Sequence, residues 1–357
     1  MNYDSLTING KKYSPKELLE EGRYTVLDYR QPEWLRDFYE FVLDWLERDE
    51  IEVSTSGTTR TPQTITFPKK ALIESAKRTI SFFDLQPEDN VLLCLPAKYI
   101  AGKMMIARAF VGQLNLILTE PSSDPWQDMA ETIRFVPLVP LQLRELLRYP
   151  DKLNNIDIIL AGGAPLDSKL ERQVKKIKPT VFQSFGMTET LTHVALKRVN
   201  GVNPSPYYRA IEGVWFEADA EKRLVIHSSF FDEPVYTSDV VSLQDEKHFR
   251  WHGRYDSVIN TGGVKVFPED IEQKINNLIY RRFIIGGLPD EVLGEKIVLI
   301  IEGKPMEDSC LESLHNRIRM NVEKHQAPKE IRFTESFPET ASGKIKRKEI
   351  IEHILDG

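Results

Sequence analysis

The sequence predicts an α/β protein: a large amino-terminal domain on a mostly parallel sheet with a small antiparallel β subdomain, then a small α+β domain behind a hinge. Three observations predict this. From Val91 to Phe185 short β-rich runs alternate with helical patterns, as strands do when helices cross between them. From about Thr192 to Trp251 the helical spacing gives way to short alternating strands separated by Gly, Pro and Asp turns. A glycine-rich stretch, HGRYDSVINTGGVKV, then leads into a last run of helices and strands. The domains are therefore drawn at 1–255 and 256–357.

In chain order, Trp34, Phe38, Phe41, Val42, Trp45 and Leu46 recur at helical spacing and predict an amphipathic helix over Glu33–Glu50. Then follow a strand at Val91–Leu95, a helix near Gly102–Val111, a strand at Leu114–Leu118 and a helix from about Pro125. The run RFVPLV, a helix near Leu141–Arg148, a strand at Ile156–Gly162, a helix over Asp167–Ile177 and a strand at Thr180–Phe185 complete the alternation. HVALKRV, VWFEAD, RLVIHS, VYTSDVV and HFRWH make the antiparallel part. After Pro268 come a helix, a strand at Lys296–Glu302, a helix over Glu307–Lys324, a strand at Glu330–Thr334 and a basic terminal helix.

Composition narrows the function. With 47 Lys+Arg against 54 Asp+Glu the chain is acidic overall, which argues against nucleic-acid backbone binding as its main task. Cys94 and Cys310 stand far apart, with no second thiol at metal-ligand spacing, so neither a disulfide framework nor a zinc site is expected. No secretory leader and no membrane span is read, and a cytoplasmic location is expected.

The segment Ser54-Thr55-Ser56-Gly57-Thr58-Thr59-Arg60-Thr61-Pro62 carries the clearest chemistry. So many hydroxyls around one glycine cannot form a core, because each would need a partner. They can surround an oxyanion, with Arg60 adding charge. A Ser/Thr-rich surface turn is the plain alternative. Ala161-Gly162-Gly163-Ala164-Pro165 ends a buried-looking strand, where glycines leave room for a flat ring or a phosphate. It also reads as a simple strand-to-helix turn. Gln183-Ser184-Phe185-Gly186-Met187-Thr188-Glu189-Thr190 ends another strand and gathers a carboxylate, hydroxyls and a ring.

Asp239 suits a diol and Arg254 suits ribose or phosphate oxygens, although either alone reads as a solvated charge. His248 and His252 have helical metal-pair spacing in a segment that reads as strand, so no metal is assigned to them. Thr340-Ala341-Ser342-Gly343-Lys344 is a small loop presenting one lysine.

Taken together and in this order, these segments resemble the signature motifs of the adenylate-forming superfamily of acyl- and aryl-CoA ligases, from Ser54 to about Lys348. The resemblance implies ATP, Mg²⁺ and coenzyme A as reactants, with a small-molecule carboxylic acid. Thr55, Ser56, Gly57, Thr58 and Thr59 would hold the β- and γ-phosphates, with Arg60 adding a cation. Glu189 would hold the metal and Thr188 the α-phosphate. Phe185 with Gly162, Gly163 and Ala164 would frame the adenine, Gly186 and Met187 would belong to the same nucleotide site, and Asp239 with Arg254 would hold the ribose. Lys344 would be catalytic, Asp256 the hinge, and Gly262 and Gly263 a loop brought in for the thiol step.

The stretch LPAKYIAGKMMIARAF with EPSSDPW behind it is similar to short-form o-succinylbenzoate–CoA ligases of menaquinone biosynthesis. That likeness implies an acyl pocket near Tyr99, Lys103 and His193, with Lys98, Lys103 or Arg108 pairing a second carboxylate of the acid. Alternatives are another aryl- or acyl-CoA ligase, an enzyme loading a carrier protein, or a nucleotide-binding protein with weak catalysis. The phosphate loop departs from the family pattern at Arg60 and Gln63, where a glycine and a lysine are usual. Full-length relatives carry an extra subdomain ahead of this loop. Its absence here implies a more open site, or one covered by a neighbouring subunit of a homodimer.

Overall fold

A computed structural model describes residues 3–54, 64–126, 129, 131–230, 233–339 and 345–356. Its contacts divide the chain into two compact units. Met1–Leu166, Gln173–Val214 and Ser228–Val235 form the first; Asp167–Arg172, Trp215–His227 and Tyr236–Gly357 form the second.

The first unit opens with two short strands, β1 (Leu6–Ile8) and β2 (Lys11–Tyr13), and helix α1 (Pro15–Leu27). Ser14 caps α1 in a reciprocal box: the Ser14 N–H donates to Glu17 Oε2 at 2.8 Å and the Glu17 N–H to Ser14 Oγ at 3.4 Å. Helix α2 (Glu33–Glu47) buries Phe38, Tyr39, Phe41, Val42 and Trp45. It ends three residues before the expected Glu50, because Glu50 opens strand β3 (Glu50–Ser54). β3 pairs antiparallel with β4 (Thr64–Pro68), with Ser54 opposite Thr64.

Helix α3 (Lys69–Phe83), strand β5 (Asn90–Leu93), helix α4 (Ile100–Gly112) and strand β6 (Asn115–Leu118) follow. Trp45 stacks on Phe110 of α4, ring centroids 5.3 Å apart, fixing α2 against α4. Next come β7 (Ile133–Leu138), α5 (Pro140–Leu146), α6 (Pro150–Asn154), β8 (Ile156–Ala161), α7 (Ser168–Val174), β9 (Thr180–Gly186), β10 (His193–Arg198) and β11 (Tyr208–Ala210). The helix expected from about Pro125 does not form among the described residues: Pro125 and Trp126 make a turn, with Trp126 fully buried.

The strands of this unit run in the order β11-β10-β9-β8-β7-β5-β6-β1-β2. Pairings from β9 through β8, β7, β5 and β6 to β1 are parallel, whereas β2, β10 and β11 join antiparallel. Apolar runs such as IDIILA and NVLL are buried along nearly their whole length, as central parallel strands with both faces covered must be. Their carboxyl ends therefore lie side by side, at Leu138, Ala161 and Gly186.

The second unit holds the antiparallel strands β12 (Val214–Ala218), β13 (Arg223–Ser228), β14 (Val235–Asp245) and β15 (His248–Arg254), ordered β12-β13-β14-β15. It continues through β16 (Ile259–Thr261), β17 (Val264–Val266), α8 (Pro268–Ile275), β18 (Phe283–Asp290), β19 (Gly294–Glu302), α9 (Asp308–Arg319), β20 (Glu330–Thr334) and α10 (Arg347–Asp356). The sheet β17-β16-β19-β18, with β20 beside β19, is covered on both sides. Ile285, Leu299, Ile271, Ile275, Leu314 and Ile318 fill the α8/α9 side, and Ile284, Val298, Ile300 and Ile350 the α10 side. The parallel run β9-β8-β7-β5-β6 and the two antiparallel sets give the α/β class the sequence predicts.

Candidate functional site

The first cluster lies where β8 and β9 end. Gly162 follows β8, its N–H donating to Leu138 O at 2.9 Å, and Ser184 Oγ–H donates to Ala161 O at 3.2 Å. A Cβ on Gly162 would sit 2.7 Å from Ser184 Oγ, so a larger residue there would force the Ser184 hydroxyl to rotate away. Gly163, at φ +82°, turns the chain away, and Ala164 is half-buried behind it. Phe185 meets Tyr208 edge-on at 5.6 Å, which orients its ring.

After Gly186 the chain makes a 3₁₀ turn over Thr188–Thr190. Thr190 builds it: its Oγ accepts from the Met187 N–H at 3.0 Å and donates to the Thr192 carbonyl at 2.7 Å. Leu191 closes the turn at φ +62°, a left-handed conformation that a buried leucine adopts only under constraint. The result presents Glu189 to solvent with Thr188 half-buried beside it. One exposed carboxylate next to a hydroxyl suits a hard cation that keeps its waters and draws other ligands from phosphate oxygens. Among the described residues no group of three or more His, Cys, Asp or Glu could hold a metal by itself.

The second unit brings together two other expected residues. Asp239 on β14 stands opposite Arg254 at the end of β15. Asp239 is 7% exposed, and its Oδ1 accepts from the indole N–H of Trp251 at 2.8 Å. Trp251 was not singled out by sequence reasoning, because nothing local marks it as Asp239's partner. Arg254 Nε donates to Asp256 Oδ1 at 3.0 Å, both side chains being nearly half exposed. Asp256 sits in a 3₁₀ turn, Tyr255–Ser257, between β15 and β16. Gly262 and Gly263, at φ +57° and +79°, form the two-residue turn between β16 and β17, the conformation that favours glycine at both positions.

Of the cations expected at an acyl pocket, two are engaged. Lys98 Nζ lies 3.6 Å from Glu33, and Lys103 Nζ donates to the Glu52 carbonyl at 2.8 Å. Tyr99 precedes α4 and is 38% exposed. Arg108, on the buried side of α4, is 3% exposed and meets no carboxylate among the described residues; its Nη2 reaches Thr192 Oγ at 3.5 Å and its Nε has no partner.

His193 lies beside it, 6% exposed, with Nε2 3.5 Å from Thr79 Oγ and Nδ1 3.3 Å from Thr192 Oγ. Burial, and then the positive charge of Arg108 and of Arg78 on α3, push the His193 pKa down to about 3, so the ring is neutral. Burial pulls both guanidinium values down to about 10, leaving each charged. Arg78, whose Nε is also unpartnered and whose guanidinium lies 3.4 Å over the Phe230 ring, is the second residue sequence reasoning missed. One buried cation, one half-buried cation and a neutral imidazole thus stand together, an arrangement complementary to an anion.

Thr55, Ser56, Gly57, Thr58, Thr59, Arg60 and Lys344 lie outside the described residues. The first six belong to the connection between β3 and β4. His248 pairs with Asp245 at 2.9 Å.

Residues 54–215 match the family model described as AMP-binding enzyme. The chain is 34% identical to an acyl-CoA synthetase (AMP-forming)/AMP-acid ligase II-like protein from Dyadobacter fermentans, over 90% of this chain and 95% of that one, with a TM-score of 0.61. It is 23% identical to the 2-succinylbenzoate–CoA ligase of Lactococcus lactis over 78% of this chain, and spans 64% of that relative's length. The o-succinylbenzoate–CoA synthetase of Bacillus subtilis, solved with its acyl-adenylate intermediate, shares the fold: TM-score 0.74 at 14% identity, covering 97% of this chain and 95% of that one.

Proposed function

Because the chain belongs to the AMP-binding enzyme family of AMP-forming acyl-CoA synthetases, we propose that it joins a carboxylic acid to coenzyme A at the expense of ATP, and that the acid is o-succinylbenzoate. In the first step a carboxylate oxygen attacks the α-phosphorus, the bond to the pyrophosphate oxygen breaks, and an acyl-adenylate remains. In the second, a thiolate attacks the acyl carbon and AMP leaves.

The residues divide this work by their chemistry. The Gly162–Ala164 turn and the Phe185 ring receive the flat base, since glycines there leave room for it. Asp239, held by Trp251, accepts from the ribose hydroxyls and Arg254 donates to ribose or phosphate oxygens. Thr188 meets the α-phosphate. Glu189 holds Mg²⁺, which when bound neutralises charge on the phosphate oxygens. Lys344 bridges the transferring phosphate and acyl oxygens, and rotation about Asp256 exchanges it for the Gly262-Gly263 turn before thiol attack.

The single observation that carries the choice of acid is Arg108. A guanidinium at 3% exposure with no carboxylate partner among the described residues is costly to bury. An acid with a second carboxylate supplies the missing anion, as o-succinylbenzoate does. A screen of acids by pyrophosphate release tests this. Turnover with o-succinylbenzoate and CoA-thioester formation are expected; turnover on benzoate or a fatty acid with none on o-succinylbenzoate overturns the assignment.

A further inference from the structure

A chain of three side chains in the second unit is used by none of the steps above. Ser242 Oγ lies 2.7 Å from His252 Nε2, and His252 Nδ1 lies 3.2 Å from each oxygen of Asp270. A carboxylate can only accept, so in the neutral ring Nδ1 carries the proton and Nε2 is the acceptor for the Ser242 hydroxyl. Nucleophile, base and orienting carboxylate thus stand in hydrogen-bond sequence with the tautomer fixed.

The local backbone makes this meeting. In the β14–β15 ladder Val240 pairs with Gly253 and Val241 with Trp251, so His252 is an extra residue with no opposite number. Such a bulge turns a side chain away from the regular alternation. Asp270 enters from the first turn of α8, which Pro268 starts. Ser242 is exposed, while the His252 and Asp270 side chains are only 20% and 24% exposed. The nucleophile is open to solvent and its two supports are mostly buried, Asp270 coming from the carboxyl side of Asp256. Arg250 stands directly opposite Ser242 in the ladder, so the two side chains leave the same face of the sheet.

We propose that Ser242, His252 and Asp270 form an esterolytic triad that hydrolyses small carboxylic esters with a good leaving group. Ser242 Oγ attacks the ester carbonyl carbon as its proton passes to His252 Nε2. The carbon–oxygen bond to the leaving group breaks, and Nε2–H gives that proton to the departing oxygen. Water then attacks the acyl-serine by the same route, releasing the acid and restoring the hydroxyl. Asp270 holds the imidazole and offsets its transient positive charge, and Arg250 offsets negative charge developing on the carbonyl oxygen.

The test is hydrolysis of p-nitrophenyl acetate by the full chain without ATP or CoA, so that its outcome is independent of the ligase reading. Ser242→Ala and His252→Gln are each expected to lower the rate about 100-fold or more. An alkyl fluorophosphonate is expected to label Ser242, located by peptide mass spectrometry, and to fail in His252→Gln. Ser242→Ala removes one exposed oxygen and is expected to leave pyrophosphate release unchanged. Equal hydrolysis by Ser242→Ala and the parent overturns the proposal, as does labelling at another residue or at none.

Discussion

Trp251 donates its indole N–H to Asp239 Oδ1 at 2.8 Å, across the same ladder in which Asp239 faces Arg254. The carboxylate is thereby fixed in direction as well as position. A hydrogen bond to a buried charge contributes about 1.5–3 kcal/mol. Trp251→Phe keeps the ring and removes the donor, so the KM for ATP should rise about tenfold or more while the KM for the acid stays put. Steady-state titration of each substrate separates the two.

Arg108 makes the opposite kind of prediction for stability and for binding. Arg108→Met removes a buried cation that has no carboxylate partner among the described residues, and should leave the thermal midpoint of the ligand-free protein unchanged or higher. The same change should weaken o-succinylbenzoate by roughly 30-fold or more, the loss of a charge-assisted bond. Differential scanning fluorimetry with and without the acid reads both; a lower midpoint with unaltered acid affinity contradicts the role given to Arg108.

His193 sets an acid limb. Its folded pKa is depressed to about 3, so below the ordinary histidine value of about 6.5 the unfolded chain takes up a proton that the folded chain refuses. Stability should therefore fall as pH drops from about 6.5 towards 3, at up to about 1.4 kcal/mol per pH unit from this one residue. Urea midpoints at pH 7 and pH 5 should differ less in His193→Asn than in the parent.

Gly186 tolerates no side chain. A Cβ there would lie 2.4 Å from the Thr192 carbonyl oxygen and 2.7 Å from His193 Cα, both backbone atoms. Gly186→Ala must shift the Thr188–Thr190 turn and should lower both stability and adenylation. Gly162→Ala meets only the Ser184 hydroxyl, a side chain that can rotate, and should fold normally while binding ATP more weakly. Equal thermal midpoints for the two alanine variants would contradict this contrast.

Lys344→Ala should abolish pyrophosphate release from acid and ATP, yet largely spare thioester formation from a supplied acyl-adenylate. Stopped assays of the two half-reactions measure it. Equal loss in both removes the rotating-domain account.

The parallel sheet was legible because its strands are uninterrupted apolar runs between helices of matching length. β18 was not: Gly286, Gly287 and Pro289 interrupt its apolar pattern and no element was assigned there, and the strand tolerates them because it stands at the end of its sheet, where a missing N–H costs no ladder bond. Segments that carry their chemistry locally, such as Gly162–Ala164 and Thr188–Glu189, could be named from the sequence. Arg108 and His193 were brought to one acyl pocket by the family resemblance alone, and Arg78 could not be added to them, since α3, α4 and the start of β10 meet only through the tertiary packing. Trp251 escaped for the same reason: its partner is 12 residues away and is chosen by strand register.

The strand β1 finds its place beside β6, and Asn9 just beyond it receives the Leu118 N–H from 109 residues further along. A chain emerging from the ribosome at about 5–20 residues per second delivers that partner roughly 5–20 s later. During that interval Leu6 and Ile8, 1% and 6% exposed in the finished fold, have nowhere to go. The closing of this sheet edge is therefore timed by translation, and slowing synthesis between β1 and β6 lengthens the period in which a chaperone, or another nascent copy, can capture the first strand.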